Sequence, residues 1–333
     1  MNIDFQHKQS AHCESGVTSS LLKYHGVDLS EAMVFGIGSG LFFAYLPFVK
    51  VNYLPLTTFR YTPGYVFKSA TKRLGIKVRS LRYRYPSKAM ADIDTIIERG
   101  SPVGLQVGVY WLPYFPPSYR FHFNAHNIVV YGKENGEYLI SDPVMETPVR
   151  CSYDDLMRVR FAKGPLAPKG RMYYIEKIPE RIEFNKAIRK GIKVTVKNML
   201  SIPFPMVGVK GIRYLARHMK KWPDKLGSKK ALLYLGQVIR MQEEIGTGGA
   251  GFRFMFSSFL QEASGFLNLK SMSGLSEDMT IVGDKWREFA LASARSCKNN
   301  EVSPELYGKL AGILTECSNM EENIFKELKK ILF

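Results

Sequence analysis

The spacing of hydrophobic residues changes character near residue 180. In the first half, helical spacing alternates with short apolar runs typical of strands. The helical segments are residues 14–24, 65–74 and 92–99, and the strand-like runs are residues 103–109, 127–131, 138–141 and 172–176. A glycine-containing turn between 127–131 and 138–141 predicts that these two strands form a hairpin.

After Arg181 nearly all apolar spacing is helical. The segments are residues 182–199, 207–220, 230–245, 252–269, 276–297, 303–317 and 319–332. We therefore predict an α+β domain over residues 1–180 and an all-helical domain over residues 181–333, with the boundary near 178–182. A chain of 333 residues is long enough for two such domains.

Two uncharged stretches, residues 32–49 and 101–119, are interrupted by glycine or proline, so we interpret both as buried core. The polar first ten residues lack the apolar segment of a signal peptide. The four cysteines show neither a CxxC motif nor the Cys/His spacing of a metal site. These features predict a reduced, cytoplasmic protein without a metal or a bound cofactor.

The formal net charge of +17 is unevenly distributed. Residues 181–230 contain 14 Lys and Arg against two acids, and residues 72–88 contain seven Lys and Arg with no acid. A solvated surface explains any single basic run. Two such runs favour a polyanionic partner, which could be nucleic acid, anionic lipid or an acidic protein.

Three residues of the first half have the chemistry of a nucleophilic site. Cys13 comes directly before the helix at 14–24, where backbone N–H groups and the helix dipole stabilise a thiolate. His126 begins one strand of the hairpin, and Asp142 follows the other. A hairpin brings the latter two together, so Asp142 can orient His126 as the base for Cys13.

The donors that would stabilise an oxyanion are less well indicated. The Cys13 N–H is one candidate, and a nearby polar side chain is a second. Gln6, His7 and Gln9 are all available for that role, and the sequence leaves the choice open.

Four further residues are candidates for substrate contacts. Gly38 lies in a glycine-rich segment after the nucleophile, and Tyr114 belongs to an aromatic group before His126. His122 is a polar residue of the same loop, and Arg253 follows the glycine run at 246–251, where an anion could bind. For each of them, packing within the protein is the competing interpretation.

The order of cysteine, histidine and aspartate resembles the papain-like cysteine fold. Several motifs are similar to the butirosin-biosynthesis acyltransferase family. They are His12-Cys13-Glu14-Ser15, LSEAM at 29–33, FGIGSGL at 35–41, LPY at 112–114, HNIVV at 126–130, IGTGG at 245–249 and Phe252-Arg253. Two positions depart from the expected pattern: His7 stands where papain-like enzymes usually have glutamine, and Gly108 stands where we expect an acid.

The resemblance implies transfer of an acyl group from an acyl-carrier-protein thioester to an amine-bearing small molecule. Cys13 would carry the acyl group, His126 would move protons, and Asp142 would hold His126. The phosphopantetheine-bound donor would be a substrate, and the basic residues 181–230 would dock the acidic carrier protein.

Two other functions compete with this expectation. A peptidase or amide hydrolase would use the same triad, and the sequence does not separate it from a transferase. A non-enzymatic protein that binds nucleic acid or a membrane would use the basic runs, but would leave the triad without a role. Nucleic acid is therefore the less favoured partner, peripheral membrane contact stays open, and the sequence does not indicate an oligomeric state.

Overall fold

A computed structural model describes residues 3–51 and 53–332 of the chain. The helices are α1 (Cys13–Tyr24), α2 (Glu31–Ile37), α3 (Tyr65–Arg73), α4 (Pro86–Glu98), α5 (Tyr153–Arg160), α6 (Phe184–Leu200), α7 (Gly208–Met219), α8 (Trp222–Leu226), α9 (Ser228–Glu243), α10 (Arg253–Leu267), α11 (Ser271–Asn299) and α12 (Pro304–Leu332). The strands are β1 (Ala44–Val51), β2 (Leu54–Thr58), β3 (Lys77–Leu81), β4 (Val103–Val107), β5 (His126–Glu134), β6 (Glu137–Ser141), β7 (Val149–Cys151) and β8 (Met172–Lys177). The fold is α+β, as the sequence predicts.

The chain divides into two compact units. Unit 1 contains the residues up to Val34 and Val66–Ile182, whereas unit 2 contains Phe35–Tyr65 and the residues from Glu183 onward. The chain passes from unit 1 to unit 2 for the last time between Ile182 and Glu183. Residues 35–65, which we expected within the first domain, instead belong to unit 2, because strands β1 and β2 pack against α7 and α9.

Unit 1 is built on an antiparallel six-stranded sheet in the order β3-β8-β4-β5-β6-β7. Every residue of β4 and the first seven residues of β5 are buried. Helix α1 packs against these two central strands. This packing places the start of α1 on the sheet that also carries His126.

The predicted hairpin is formed by β5 and β6. Asn135 and Gly136 connect the strands with φ values of 51° and 82°, which is the left-handed geometry that a two-residue hairpin turn requires. Helix α4 begins earlier than predicted, because Pro86 occupies a first-turn position where its missing N–H costs nothing. The short strands β1, β2, β3 and β7 were not predicted.

Unit 2 contains the β1–β2 hairpin and helices α6 to α12. The segments predicted separately at 303–317 and 319–332 form the single helix α12. Ser318 lies at the expected break, but it is buried and its hydroxyl donates to the Val209 carbonyl at 2.9 Å. Across residues 3–51 and 53–332, no helix has the length and the apolar run needed to cross a bilayer.

Candidate active site

The turn before Cys13 is held by a carboxylate from the next helix. Glu31 accepts the backbone N–H groups of Ala11 at 3.0 Å and His12 at 2.6 Å, and the Ser15 hydroxyl at 3.1 Å. His12 is the N-cap of α1, and its Nδ1 accepts the Ser15 N–H at 3.4 Å. His12 thus acts as a cap, and Cys13 is the first residue of the helix.

His126 and Asp142 form the pair that the sequence predicts. His126 Nε2 lies 2.9 Å and 2.8 Å from the two carboxylate oxygens of Asp142. The Tyr114 hydroxyl donates to Asp142 Oδ2 at 3.0 Å, and the Val144 N–H donates to Oδ1 at 3.0 Å. Asp142 is fully buried and His126 is 4% exposed. Three donors therefore hold one carboxylate away from water.

These contacts favour a charged imidazole. Burial lowers the pKa of His126, but the charge and hydrogen bond of Asp142, with a smaller contribution from Cys13, outweigh it and raise the pKa to about 10. Because Nε2 faces Asp142, Nδ1 is the nitrogen that serves Cys13. A buried imidazolium beside a cysteine stabilises the thiolate.

Asn127 is a site residue that the sequence analysis missed. Its Nδ2 lies 3.8 Å from Cys13 Sγ and also donates to the Ala125 carbonyl at 3.2 Å. The Tyr173 hydroxyl donates to Asn127 Oδ1 at 2.8 Å, which fixes the orientation of the amide. The available signal was an amide inside the otherwise apolar run after His126.

The polar residues proposed as oxyanion donors have other partners or remain at the surface. The His7 ring nitrogens lie 2.8 Å from Ser141 Oγ and 3.0 Å from the Met145 carbonyl, so His7 braces the segment that carries Asp142. Gln9 donates to the Val144 carbonyl at 3.3 Å, and Gln6 is exposed. Asn127 is the side-chain amide that the structure places beside the sulfur of Cys13.

Two of the expected substrate contacts lie in the loop before His126. Tyr114 is engaged with Asp142, and both burial and that carboxylate raise its pKa well above the ordinary value. His122 is exposed and stacks on Tyr110, with 4.1 Å between the ring centroids. Tyr114 therefore supports the triad, whereas His122 belongs to an exposed aromatic pair.

The other two expected substrate contacts belong to unit 2. Gly38 is buried in the turn after α2. Arg253 is also buried, and its Nε and Nη2 donate to Glu321, each at 2.9 Å. Since Glu321 neutralises this guanidinium away from solvent, the structure gives Arg253 an internal partner in place of the expected substrate anion.

Gly108, where we expected an acid, lies in a closely packed position. A Cβ atom on this residue would lie 2.7 Å from both Ala162 Cβ and Asn124 Oδ1. Its N–H donates to the Val159 carbonyl at 2.8 Å. The packing around Gly108 therefore has no space for a side chain.

The remaining cysteines differ from Cys13 in their surroundings. All four thiols are free, and burial together with two nearby acids raises the pKa of Cys151 to about 12. Burial also raises the pKa values of Cys297 and Cys317. Thiols of this kind stay protonated near neutral pH and are poor nucleophiles.

The site has the parts needed for covalent acyl chemistry: a helix-start cysteine, a charged imidazole, a buried carboxylate and an amide donor near the sulfur. Within the described residues, no three His, Cys, Asp or Glu side chains come together as metal ligands. These four groups are sufficient to form an acyl-cysteine and to transfer its acyl group to a second nucleophile.

Comparisons with known proteins give the following similarities. No curated protein matches the chain significantly. A crystal structure of a protein from Bacillus anthracis, described as a C39-like peptidase, aligns over 53% of this chain and 97% of its own, with a TM-score of 0.35 and 15% identity. Residues 12–143 match the family described as Butirosin biosynthesis protein H, N-terminal. Residues 154–328, more than half of the chain, match the Domain of unknown function (DUF4872). The chain therefore belongs to the family that carries this domain, and residues 12–143 are similar to the N-terminal domain of butirosin biosynthesis protein H.

Proposed function

We propose that this protein is a cysteine-dependent acyltransferase that moves an acyl group from an acyl-carrier-protein thioester to an amine. The supporting observation is the buried contact of His126 with Asp142 beside Cys13, within a domain that matches a biosynthetic protein. Free cysteines and a thiolate nucleophile suit the reducing cytoplasm.

In the first step, the Cys13 thiolate attacks the carbonyl carbon of the donor thioester. The carbonyl oxygen becomes negatively charged in the tetrahedral intermediate. Two donors at the site could stabilise it: the Cys13 N–H at the start of α1, and Asn127 Nδ2, which lies 3.8 Å from the sulfur. The intermediate then collapses, the C–S bond of the donor breaks, and the released thiolate takes the proton of the His126 imidazolium. The acyl group remains on Cys13 as a thioester.

In the second step, the acceptor amine attacks the acyl-Cys13 carbonyl. His126, now neutral, takes a proton from the attacking nitrogen through Nδ1, while Nε2 stays on Asp142. Collapse of the second intermediate breaks the bond to sulfur and forms the amide. The thiolate and the imidazolium are restored together, so the cycle consumes neither a cofactor nor a metal ion.

Helix α6 carries a basic stripe suited to an acidic carrier protein. Exposed cations occur along it at helical spacing: Lys186, Arg189, Lys190, Lys193 and Lys197. The opposite side of the helix is buried, so the cations define one face. In the proposed function, this stripe, which belongs to the basic residues 181–230, attracts the carrier by charge. The rate of association with the carrier should then fall as the salt concentration increases.

The acylation step can be tested by intact-protein mass spectrometry. Wild-type protein incubated with an acyl-carrier thioester, or with a small acyl thioester, should gain the mass of one acyl group. Cys13→Ala should gain none. Cys151→Ala is the matched control, because the Cys151 thiol is buried and has a pKa of about 12. This variant keeps Cys13 and should therefore be acylated like the wild type. An adduct that persists in Cys13→Ala contradicts the proposal.

The same experiment separates transfer from hydrolysis. Acyl-enzyme isolated from the donor is divided between buffer and buffer with a primary amine, and the free acid and amide are measured. Amide formation that increases with amine concentration supports the transferase. Release of free acid at a rate independent of the amine, or cleavage of peptides without any carrier, identifies a hydrolase with the same triad.

Docking of the carrier can be tested by charge removal on α6. Lys186→Gln/Lys190→Gln should raise the KM for the carrier-bound donor and leave the rate with a small thioester unchanged. Lys270→Gln/Lys298→Gln removes the same charge from exposed positions outside the stripe. Equal effects of the two double variants would show that only net charge matters.

A further inference from the structure

Unit 1 contains a basic depression that the proposed chemistry does not use. Its volume is about 600 Å³, which is within the range of sites that hold an organic ligand. Four cations line it: Arg82, Arg84, Lys163 and Lys169. The lining described by the structure contains no carboxylate. Two separate segments of the chain thus bring positive charge to one concave surface.

The four cations are not neutralised within the protein. Among the described residues, none of them forms an ion pair with a carboxylate, and all four are exposed. One lining residue contacts an acid: the Tyr83 hydroxyl donates to Asp92 at 2.8 Å, and the Lys88 ammonium donates to the same carboxylate at 2.6 Å. Their positive charge therefore remains available to a ligand.

A buried arginine behind the depression adds to the positive potential. Arg160 is fully buried, and its guanidinium donates to the Ala89 carbonyl at 2.8 Å and to the Gly170 carbonyl at 3.1 Å. These partners are neutral, and Arg160 Nε has no hydrogen-bond partner. The guanidinium lies 5.9 Å from the ring of Tyr83, a lining residue. No carboxylate of the described residues hydrogen-bonds to Arg160, and the carboxylate that acts on its charge is Asp92, which is also bound by Tyr83 and Lys88.

The loop that carries two of the cations is held in place. The Asn124 amide donates to the Lys163 carbonyl at 3.1 Å and to the Pro165 carbonyl at 2.9 Å. The Tyr83 N–H donates to the Lys169 carbonyl at 3.1 Å, and Gln106 Nε2 donates to the Leu166 carbonyl at 3.1 Å. These bonds fix the backbone that carries Lys163 and Lys169 before any ligand arrives, which lowers the entropic cost of binding.

We propose that this depression is a binding site for an organic phosphate, with Arg82, Arg84, Lys163 and Lys169 on the phosphate. Arginine guanidinium groups bind phosphate oxygens in a bidentate manner, and lysines add point charges. The half-buried rings of Tyr83 and Phe161 provide the apolar wall for the organic part. The site is independent of the acyl transfer at Cys13, and its test uses no activity measurement.

Binding can be measured by isothermal titration calorimetry with two probes, inorganic phosphate and phenyl phosphate, at low salt. We expect saturable binding with one site per chain. Arg82→Gln/Lys169→Gln should weaken it roughly tenfold. The matched control is Lys68→Gln/Lys72→Gln, which removes two exposed cations of α3 that do not line the depression. The control should stay within about twofold of the wild type.

The outcomes separate the site from a general attraction of anions. Equal weakening by the two double variants, or no saturable binding of either probe, overturns the proposal. Tighter binding of phenyl phosphate than of inorganic phosphate supports an organic phosphate, whereas the reverse order contradicts the role of the aromatic wall. Circular dichroism melting of both double variants checks that the fold is kept, as expected for exposed cations without acidic partners.

Discussion

The side-chain amide of Asn127 donates toward the sulfur of Cys13, with 3.8 Å between Nδ2 and Sγ. Strand β5 thus places both His126 and Asn127 beside Cys13. Because the amide is fixed by Tyr173 and Ala125, it reaches the sulfur without further ordering. Donors held in this way are the ones that stabilise developing charge most effectively.

We predict that Asn127→Ala slows acylation of Cys13 by roughly 10²–10³-fold, as expected for loss of one oxyanion donor. Stopped-flow release of thiol from a small acyl thioester measures this rate. Tyr173→Phe removes the hydroxyl that holds Oδ1 but leaves the bond to Ala125, so it should cost less. Acylation of Asn127→Ala at the wild-type rate would exclude Asn127 from this role.

A second prediction concerns the protonation of His126. In Asp142→Asn the charge that opposes burial is lost, so the pKa of His126 should fall from about 10 toward or below its ordinary value of 6.5. Nitrogen-15 NMR titration of labelled histidines measures this directly. The control is His25, whose pKa is lowered by burial alone, and it should titrate alike in both proteins. An unchanged His126 titration would mean that Asp142 does not set its pKa.

The same raised pKa predicts a pH dependence of stability. A histidine whose pKa is about 10 in the folded state and 6.5 in the unfolded state stabilises the fold fully below pH 6.5, and this contribution is lost as pH rises through 10. Urea unfolding at several pH values should show this fall in the wild type and a smaller fall in Asp142→Asn. Below about pH 9 phenols stay protonated in both states, so the contact of Tyr114 with Asp142 does not enter the comparison, and parallel curves over that range would contradict the prediction.

The buried pair in unit 2 gives a fourth prediction. Arg253→Gln leaves the Glu321 carboxylate buried without its cation, although Trp286 Nε1 still donates to it at 2.7 Å, and this should lower the free energy of unfolding by about 3–5 kcal/mol. Arg253→Met/Glu321→Met removes both charges and should recover most of the loss. Lys330→Gln breaks the exposed pair of Lys330 with Glu327 on α12, the helix that carries Glu321. This control should lower the free energy of unfolding by less than about 1 kcal/mol. A stable Arg253→Gln with a raised KM would restore Arg253 as a substrate contact.

A fifth prediction tests the packing at Gly108. Gly108→Ala should lower the free energy of unfolding by about 1–3 kcal/mol, because its methyl group would lie 2.7 Å from Ala162 Cβ and Asn124 Oδ1. Adding Ala162→Gly removes one of these contacts and should restore part of the stability. Gly265→Ala, on an open helix position of unit 2, is the control that should not destabilise. Equal stability of Gly108→Ala and the wild type would contradict the described packing.

Much of the site could be predicted from local sequence signals. A cysteine before a helix, a histidine at the start of a strand and an aspartate after the next strand are features of short segments, and a two-residue turn brings the last two together. Asn127 could not be identified in this way. Its role depends on helix α1 packing across β5, a contact between residues more than 100 positions apart.

Periodicity and turn chemistry act over a few residues, and for that reason the α+β class, the helical character after residue 181 and the order of Cys13, His126 and Asp142 can be predicted from the chain alone. The place of residues 35–65 in unit 2 and the neutralisation of Arg253 by Glu321 depend on contacts between residues far apart in the chain. An apolar stretch or a single charged residue can pack against many different neighbours. The tertiary contacts determine which of these groups are buried, which form ion pairs and which stay accessible to a ligand.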